Sequence, residues 1–362
     1  MKYNNTVTAV ISTKNRYHTT LPLVVLSVIN QSHKIDKLII FDDGDHIDLR
    51  EDPLWKNIFT SIAAKGIVWE MVFSPGKGQV LNHQRSIEMC KTEWIWRLDD
   101  DNYAEYDVLE KLLSVADDKT GAVGGLVLDP KMNPHCDFAS NRIEDIYLGL
   151  NEQWFKPKDH KFVYAKEGEA PIGYDGYEGP REVDHLYSTF IYRKSASKHG
   201  YCMDLSVVGH REETIFTYEM KRAGWDILFK ADAVTWHYRN SEGGIRTFKD
   251  PGLWAWDDSV LAFKMKQWGI ETRHPKLIVL DSGLGDHLAF LKVLPEIKAK
   301  HKDIIMAVCY PEVFRDHMDV QIISVDAAKM MGPTEEYNVY KFLWDHDKEP
   351  MHIIDAYRRL YK

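Results

Sequence analysis

Three short apolar runs, each followed at once by polar residues, constrain the fold of this chain most. They lie at residues 7–11, 38–41 and 94–98. Segments with the apolar spacing of a helix separate them, at residues 21–29 and 79–90. Strands that alternate with helices in this way are typical of a parallel α/β sheet.

The polar clusters that follow the three runs occupy residues 12–16, 42–45 and 99–102. In open α/β sheets, ligands bind in the crevice at the carboxyl ends of the strands. Because all three clusters come at such ends, we expect them to meet at one edge of the sheet. The sequence therefore predicts a polar ligand site there.

Three consecutive aspartates, Asp99, Asp100 and Asp101, are the most distinctive part of this edge. Adjacent carboxylates repel one another unless a cation neutralises them, and their oxygens suit Mg²⁺, Mn²⁺ or Ca²⁺. Alternation along an extended backbone puts Asp99 and Asp101 on the same side, where they can share a ligand. A solvated acidic turn that caps the next helix is the alternative. The position after a buried strand favours a metal site.

Two further groups are candidate functional residues if they lie near these aspartates. His237 follows an apolar run from residue 234, and it is a core or surface histidine unless it pairs with the aspartates as a metal ligand. Glu212 and Glu213 begin a predicted helix at residues 212–223. Acidic residues there favour the helix dipole, and one of them is alternatively a general base.

Two weaker patterns fit a binding role and a structural role equally well. The loop at residues 74–79 puts glycines and Lys77 before a helix, which suits either a phosphate contact or a plain turn. Trp254 and Trp256 either stack on a sugar or anchor a loop. A long irregular stretch at residues 129–182 is expected to be a functional or mobile loop, because loops of that length in compact domains tend to be one or the other.

Composition limits the remaining function classes. The chain has 362 residues, and no stretch of it approaches the roughly 20 apolar residues that a membrane span needs. The N-terminus lacks the apolar core of a signal peptide, and the four cysteines stand far apart, so we expect a cytoplasmic protein with reduced thiols. A net charge of −9 disfavours broad nucleic-acid binding.

The strand and helix pattern restarts near residue 272. Strands are predicted at residues 276–280, 304–308 and 320–324, with a tight turn at 283–286 and a helix at 287–300. This part carries 13 basic and 14 acidic residues, so the excess acid belongs to the preceding part. We predict two domains, residues 1–271 and residues 272–362.

Four ordered motifs in the first domain resemble those of the family 2 inverting glycosyltransferases. Residues 10–16 are similar to the family's T-x-N-R segment, 40–45 to D-D-G-S, 98–102 to D-x-D, and 209–225 to the E-D segment with its helix. The resemblance implies a GT-A nucleotide-diphospho-sugar transferase fold, a Rossmann-like mixed sheet flanked by helices, followed here by a small Rossmann-like α/β unit. That second unit resembles the N-terminal lobe of GT-B heptosyltransferase-like proteins through residues 283–287, and we expect it to serve in docking, acceptor binding or oligomerisation.

The resemblance also implies roles for the residues of the motifs. Asp101 and His237 would hold Mn²⁺ or Mg²⁺, and Asp43 would contact the base, which favours a UDP-sugar. Glu213 would be the catalytic base, with Glu212 as the alternative because Glu-Glu stands where the family usually has Glu-Asp. We expect the donor to be bound by the polar side chains of these motifs and of the loop and helix after residue 73: Ser12, Lys14, Arg16, Asp43, Lys77, Asn82, Asp99 and Asp100.

The expected function is metal-dependent transfer of a sugar, with inversion, from a nucleotide-diphosphate donor to an acceptor hydroxyl. The acceptor stays open between a glycan, a glycolipid precursor and a modified nucleobase, and so does the oligomeric state. A nucleotidyltransferase that makes nucleotide sugars is one alternative, although residues 12–16 lack the glycines typical of its first loop. A non-catalytic nucleotide-sugar-binding protein is another.

Overall fold

The structure is a computed structural model of the whole chain. It describes residues 5–128, 180–238, 242–244, 251–270, 276–301, 304–315, 320–323, 339–345 and 351–361, with a few single positions between them. The described residues form two compact units that meet in sequence at Gly269 and Ile270. The predicted boundary after residue 271 stays a prediction. Most of the irregular stretch at residues 129–182 lies outside the described residues.

The first unit is built on a nine-stranded mixed sheet. Within the described residues its strands are β1 (Val7–Thr13), β2 (Lys37–Asp42), β3 (Val68–Phe73), β4 (Trp94–Asp99), β5 (Asn102–Ala104), β6 (Thr120–Leu128), β7 (Arg181–Glu182), β8 (Phe190–Arg193) and β9 (Asp226–His237). Their order is β3-β2-β1-β4-β8-β6-β9-β5, and β7 pairs with β9. Strands β1 to β4 run parallel, whereas β8 is antiparallel to both of its neighbours.

Helices cover both faces of this sheet because alternate strand residues point to opposite sides. On β1, Ala9 and Ile11 belong to one buried cluster and Val10 to the other. The helices of the unit are α1 (Leu21–Ile29), α2 (Pro53–Ala64), α3 (Gln79–Met89), α4 (Val108–Ser114), α5 (Glu212–Arg222) and α6 (Pro251–Gln267). Helices α1, α2 and α4 contribute to the first cluster, and α3 and α5 to the second. The mixed sheet between two helical layers confirms the fold class predicted from the resemblance.

The register of the parallel strands places the polar clusters at one edge, as predicted. Ser12 pairs with Asp99 across β1 and β4, and Thr13 pairs with Asp42 across β1 and β2. The three strands therefore end at the same level. The side chains that follow them share one edge of the sheet.

Several predicted elements differ from the observed ones. The apolar run from residue 234, which precedes His237, is the end of the much longer β9. The sequence reading missed β3, although five of its six residues are apolar; in the structure they are half-buried or exposed. It also missed the helices α2 and α4.

The second unit has its own three-stranded parallel sheet, in the order β10 (Lys276–Leu280), β11 (Ile304–Val308) and β12 (Gln321–Ile323). Helices α7 (Leu284–Leu291), α8 (Leu294–Lys300), α9 (Val339–Asp345) and α10 (Ile353–Leu360) accompany it. The single helix expected at residues 287–300 is thus two helices. The expected turn at 283–286 is the start of α7, where the Asp286 carboxylate accepts a hydrogen bond from the Gly283 N–H. A small α/β unit is confirmed, and none of the helices in the described residues is long and apolar enough to cross a membrane.

Candidate active site

The aspartate triplet follows β4 and meets the polar end of β1. The buried Arg16 guanidinium bridges two of the three carboxylates, with Nη1 at 2.6 Å from Asp100 Oδ1 and 2.7 Å from Asp101 Oδ2. Asp100 Oδ2 also accepts a hydrogen bond of 2.7 Å from Thr13 Oγ1. Burial raises the pKa of Asp100, whereas Asp101 keeps a pKa below its usual range because His237 and Arg16 outweigh its burial. Of the two neighbours, Asp101 therefore carries the more firmly held charge.

Asp101 and His237 form the pair that could hold a divalent ion. Asp101 Oδ2 lies 3.2 Å from His237 Nε2, so one ion could reach both atoms. A carboxylate with an imidazole suits Mn²⁺ chemically. Within the described residues no three histidine, cysteine or acidic side chains are grouped closely enough to hold a metal. The residues therefore fit an ion that takes its remaining ligands from phosphate oxygens and water.

Loop residues 242–244 lie over the same arginine. Arg16 Nε donates to the Glu242 carbonyl at 3.3 Å, and the Gly244 N–H donates to the Lys14 carbonyl at 2.8 Å. Gly243 and Gly244 both have positive φ angles, and a Cβ on Gly244 would lie 2.6 Å from the Arg16 guanidinium. Only glycine lets the backbone approach this closely. Arg16 is consequently enclosed between the aspartates and this loop.

The two glutamates at the start of α5 both face Arg97. Arg97 Nη2 lies 2.7 Å from Glu212 Oε1, and Nη1 lies 3.0 Å from Glu213 Oε1. The Glu212 side chain is 0% exposed, whereas that of Glu213 is 17% exposed. Burial raises the pKa of Glu212 well above its usual value, although Arg97 opposes that shift. Of the two carboxylates, Glu213 is the one that an external molecule can reach.

Side chains after β1 and β3 meet at the start of α3. The fully buried Asn82 donates to Ser12 Oγ at 2.8 Å and accepts a hydrogen bond from Ser74. The Gly78 N–H donates to Asp43 Oδ2 at 2.6 Å, and Asp43 Oδ1 is buried without a hydrogen-bond partner among the described residues. Asp43 therefore keeps one oxygen that could accept from a ligand N–H group.

Helix α6 fixes the loop that leads into α5. Asp257 is fully buried and accepts from the Ser206 and His210 N–H groups at 2.6 and 2.8 Å. The neighbouring Asp258 accepts from Arg211 Nε at 2.8 Å. Arg211 directly precedes Glu212 and has a left-handed backbone with φ of 73°. These contacts hold the residue that sets the direction of α5.

The two tryptophans of α6 differ in their contacts. Trp256 Nε1 donates to the Asp204 carbonyl at 2.8 Å, which fits the anchor role. Trp254 lies against His210, with 4.8 Å between the ring centroids, and is 37% exposed. Trp256 is 56% exposed, so the stacking alternative stays open for both rings.

The structure brings most of the predicted site residues into three groups. Arg16, Asp100, Asp101 and His237 form the first, Glu212 and Glu213 meet Asp99 around Arg97, and Ser12, Asn82 and Asp43 surround the start of α3. Lys14 contributes its backbone, whose N–H lies 3.4 Å from Asp100 Oδ2. Lys77 is exposed, and no hydrogen bond or ion pair is observed for it within the described part of the chain.

Arg97 is the main residue that the sequence reading missed. It interrupts the apolar run of β4, where a charged residue can be buried only with partners. That interruption, two residues before Asp99, was the available signal. Asp257 and Asp258 were missed as well, because their partners lie about 50 residues away in sequence.

Sequence comparison finds one matching family. The model of the family described as "Glycosyl transferase family 2" matches residues 8–172. Over these residues, which make up less than half of its length, the chain is similar to the family 2 glycosyltransferases. The match contains β1 to β6 and the aspartate triplet, whereas Glu212, Glu213 and His237 lie beyond it. No curated protein matches the chain.

The chain is also similar to solved structures, all at low identity. One is GalNAc-T7 with UDP, GalNAc and Mn²⁺, at 15% identity and a TM-score of 0.46, covering 65% of this chain and 44% of that one. Another is S. aureus TarS, at 14% identity and a TM-score of 0.41, covering 66% and 37%. A TarS 1–349 complex with UDP-GlcNAc has 12% identity and a TM-score of 0.47, covering 98% and 90%. The chain thus spans less than half the length of the first two.

Proposed function

We propose that this chain is a metal-dependent inverting glycosyltransferase that takes its sugar from a UDP-sugar. The observation that carries the proposal is the meeting of the aspartate triplet with Glu213 through Arg97. The triplet lies in the part of the chain that matches the family 2 model. One group of carboxylates suits a cation and a diphosphate, and the other offers a base. Both parts are needed for transfer to a hydroxyl group.

In the proposed reaction Glu213 accepts the proton of the acceptor hydroxyl. The oxygen of that hydroxyl forms a bond to the anomeric carbon, while the bond from this carbon to the diphosphate oxygen breaks. The bonding electron pair leaves on the diphosphate. Attack from the face opposite the leaving group inverts the anomeric centre. The partial exposure of Glu213, beside the fully buried Glu212, supports its assignment as the base.

The residues around Asp101 would serve the leaving group. Asp101 and His237 would hold Mn²⁺ or Mg²⁺, which when bound neutralises the charge that develops on the diphosphate. Arg16 also contacts the Asp101 carboxylate, so its positive charge would lie beside the bound metal ion. Asp43 has a buried oxygen without a partner in the described residues, which supports a contact with an N–H group of the base.

Ligand-dependent thermal stability tests the donor and metal parts of the proposal. We expect UDP-glucose, UDP-galactose, UDP-GlcNAc or UDP-GalNAc, added with MnCl₂, to raise the melting temperature, because a ligand at 100 times its Kd stabilises by about 2.7 kcal/mol. Asp101→Asn should lose the part of the shift that depends on Mn²⁺. Asp118→Asn, at an exposed position in a turn, is the matched control and should keep it. A wild-type protein that responds to none of these donors would contradict the proposal.

Glu213→Gln separates an enzyme from a binding protein. The amide keeps the shape of the side chain and loses its basicity, so we expect donor-dependent stabilisation to remain while release of UDP stops. A variant that releases UDP at the wild-type rate would rule out Glu213 as the base.

A further inference from the structure

Arg97 is a charged residue in the middle of an apolar strand. It lies on β4 between Trp96 and Leu98, and all three side chains are fully buried. A guanidinium in such surroundings is stable only where its N–H groups find acceptors and its charge finds carboxylates. The partners that surround it therefore indicate what the arginine does.

Its three nitrogen atoms contact several different parts of the first unit. Nη1 donates to the Ser188 carbonyl at 2.6 Å and lies 3.0 Å from Glu213 Oε1. Nη2 lies 2.7 Å from Glu212 Oε1 and 3.4 Å from Asp99 Oδ1. We call Arg97 with Asp99, Glu212 and Glu213 the Arg97 cluster. One guanidinium thus joins the end of β4 to the start of α5.

The third nitrogen is held by a neutral histidine. Arg97 Nε donates to His83 Nε2 at 3.1 Å. His83 is buried, and burial together with the charge of Arg97 lowers its pKa well below the usual value. It therefore stays uncharged and accepts the Nε–H. This contact from α3 fixes the plane of the guanidinium and leaves Nη1 and Nη2 for the carboxylates.

The planar guanidinium sets the carboxylates relative to one another. Nη1 and Nη2 belong to one rigid group, so the oxygens of Glu213 and Asp99 that they contact are held at a defined separation. Asp99 comes from the aspartate triplet, which we assign to the donor, and Glu213 is the proposed base. Strand alternation explains the placement, because residues 97 and 99 point to the same side of β4.

We propose that Arg97 is a positioning residue, which holds the Glu213 carboxylate in register with Asp99 so that acceptor and donor meet in line. This inference rests on the proposed function. Arg97 itself is fully buried and is not placed to contact either substrate; it acts through the two carboxylates. A misplacement of about 1 Å in such an arrangement costs on the order of 10²-fold in rate.

A purely structural role for Arg97 makes a different prediction. If the arginine only neutralises the buried Glu212, its loss lowers stability, and the protein that remains folded works normally. Arg193 provides the matched control for this case. It is also a buried arginine, on β8, with Glu93 as carboxylate partner, the Thr120 carbonyl at 3.1 Å and the Trp94 ring at 4.4 Å. It pairs with Trp94 at the opposite end of β4 from Asp99.

The experiment compares full-length wild-type protein with Arg97→Lys, Arg97→Met and Arg193→Met. Release of UDP from the four UDP-sugars with MnCl₂ is followed with water as acceptor, at a temperature where each variant is folded by circular dichroism. We expect Arg97→Met to lower kcat about 10²-fold with the donor KM changed by no more than about twofold. The melting temperature of Arg193→Met should fall by about as much as that of Arg97→Met, and its kcat should stay at the wild-type value.

Arg97→Lys carries the test if Arg97→Met fails to fold. Lysine keeps the positive charge but is a single point donor that cannot hold two carboxylates in a fixed plane. We expect a melting temperature near that of the wild type and a kcat about tenfold lower, with an unchanged donor KM. A kcat of Arg97→Lys equal to that of the wild type, or losses in Arg97→Met matched by Arg193→Met, would overturn the positioning role alone. A wild-type protein that releases no UDP from any donor would refute the proposed function and this inference with it.

Discussion

Replacing Asp258 by asparagine should make the protein less stable at neutral pH but not at pH 2. The Asp258 carboxylate accepts from Arg211 Nε at 2.8 Å, and His210 Nε2 lies 3.5 Å from the same oxygen. Burial disfavours the charged carboxylate, but the hydrogen bond from His210 and the charge of Arg211 outweigh it and lower the pKa of Asp258 from 3.8 to about 2. The side chain is only 16% exposed, so solvent screens this interaction little.

The size and the pH range of the effect follow from that shift. A carboxylate whose pKa is lower in the folded than in the unfolded chain adds stability above its unfolded pKa, and this is lost as the pH falls through the folded pKa. A shift from 3.8 to about 2 corresponds to about 2 kcal/mol. The free energy of unfolding should therefore drop by about that amount in Asp258→Asn at pH 7, and the difference should vanish between about pH 4 and pH 2.

Urea unfolding followed by tryptophan fluorescence, at several pH values, measures this difference. Asp118→Asn, at an exposed turn, is the control and should change the free energy by no more than about 0.5 kcal/mol. A difference between Asp258→Asn and wild type that stays constant down to pH 2 would refute the electrostatic explanation. It would assign the loss to packing instead.

Two further substitutions test local geometry by thermal or urea unfolding. Gly78→Ala should destabilise the protein strongly, because φ is 85° and an added Cβ would lie 2.2 Å from the Val207 carbonyl oxygen. Gly76→Ala, with φ of 70° and open space around it, should cost only about 1 kcal/mol of backbone strain. Equal losses of stability in the two variants would contradict the close approach at Gly78. Tyr17→Phe should cost about 1–3 kcal/mol, because its hydroxyl donates to both oxygens of the buried Asp42 at 2.8 and 2.9 Å, and an unchanged urea midpoint would show that this hydrogen bond is not needed.

The parallel half of the sheet could be predicted from the sequence because its strands are continuous apolar runs. In β1, β2 and β4 nearly every residue is buried, so the pattern needs no knowledge of neighbours. Strand β3 lies at the edge of the sheet, and none of its residues is fully buried. Five of its six residues are apolar, so its composition favours a strand, but its place beside β2 at the edge of the sheet depends on the whole fold.

The candidate site likewise contains residues that the sequence predicts and residues whose role depends on tertiary contacts. The aspartate triplet and the glutamate pair were visible because their chemistry is local in sequence. The partners that set their charge were not, because Arg16 reaches Asp100 across 84 residues and Arg97 reaches Glu212 across 115. A pattern within one segment predicts which groups are reactive. The contacts that orient them come from tertiary packing.

Helix geometry bears on the choice between the two glutamates that the sequence left open. Consecutive residues of an α-helix point about 100° apart, so Glu212 and Glu213 approach Arg97 from different directions and differ in exposure. Glu212 points into the core, where it meets Arg97 and is 0% exposed, and the next residue is turned toward the open side with 17% of its side chain exposed. The direction of the helix is set in turn by Arg211, whose left-handed backbone is held by Asp258. Both glutamates contact the same guanidinium, and the greater exposure of Glu213 supports the proposal that it, rather than Glu212, is the base.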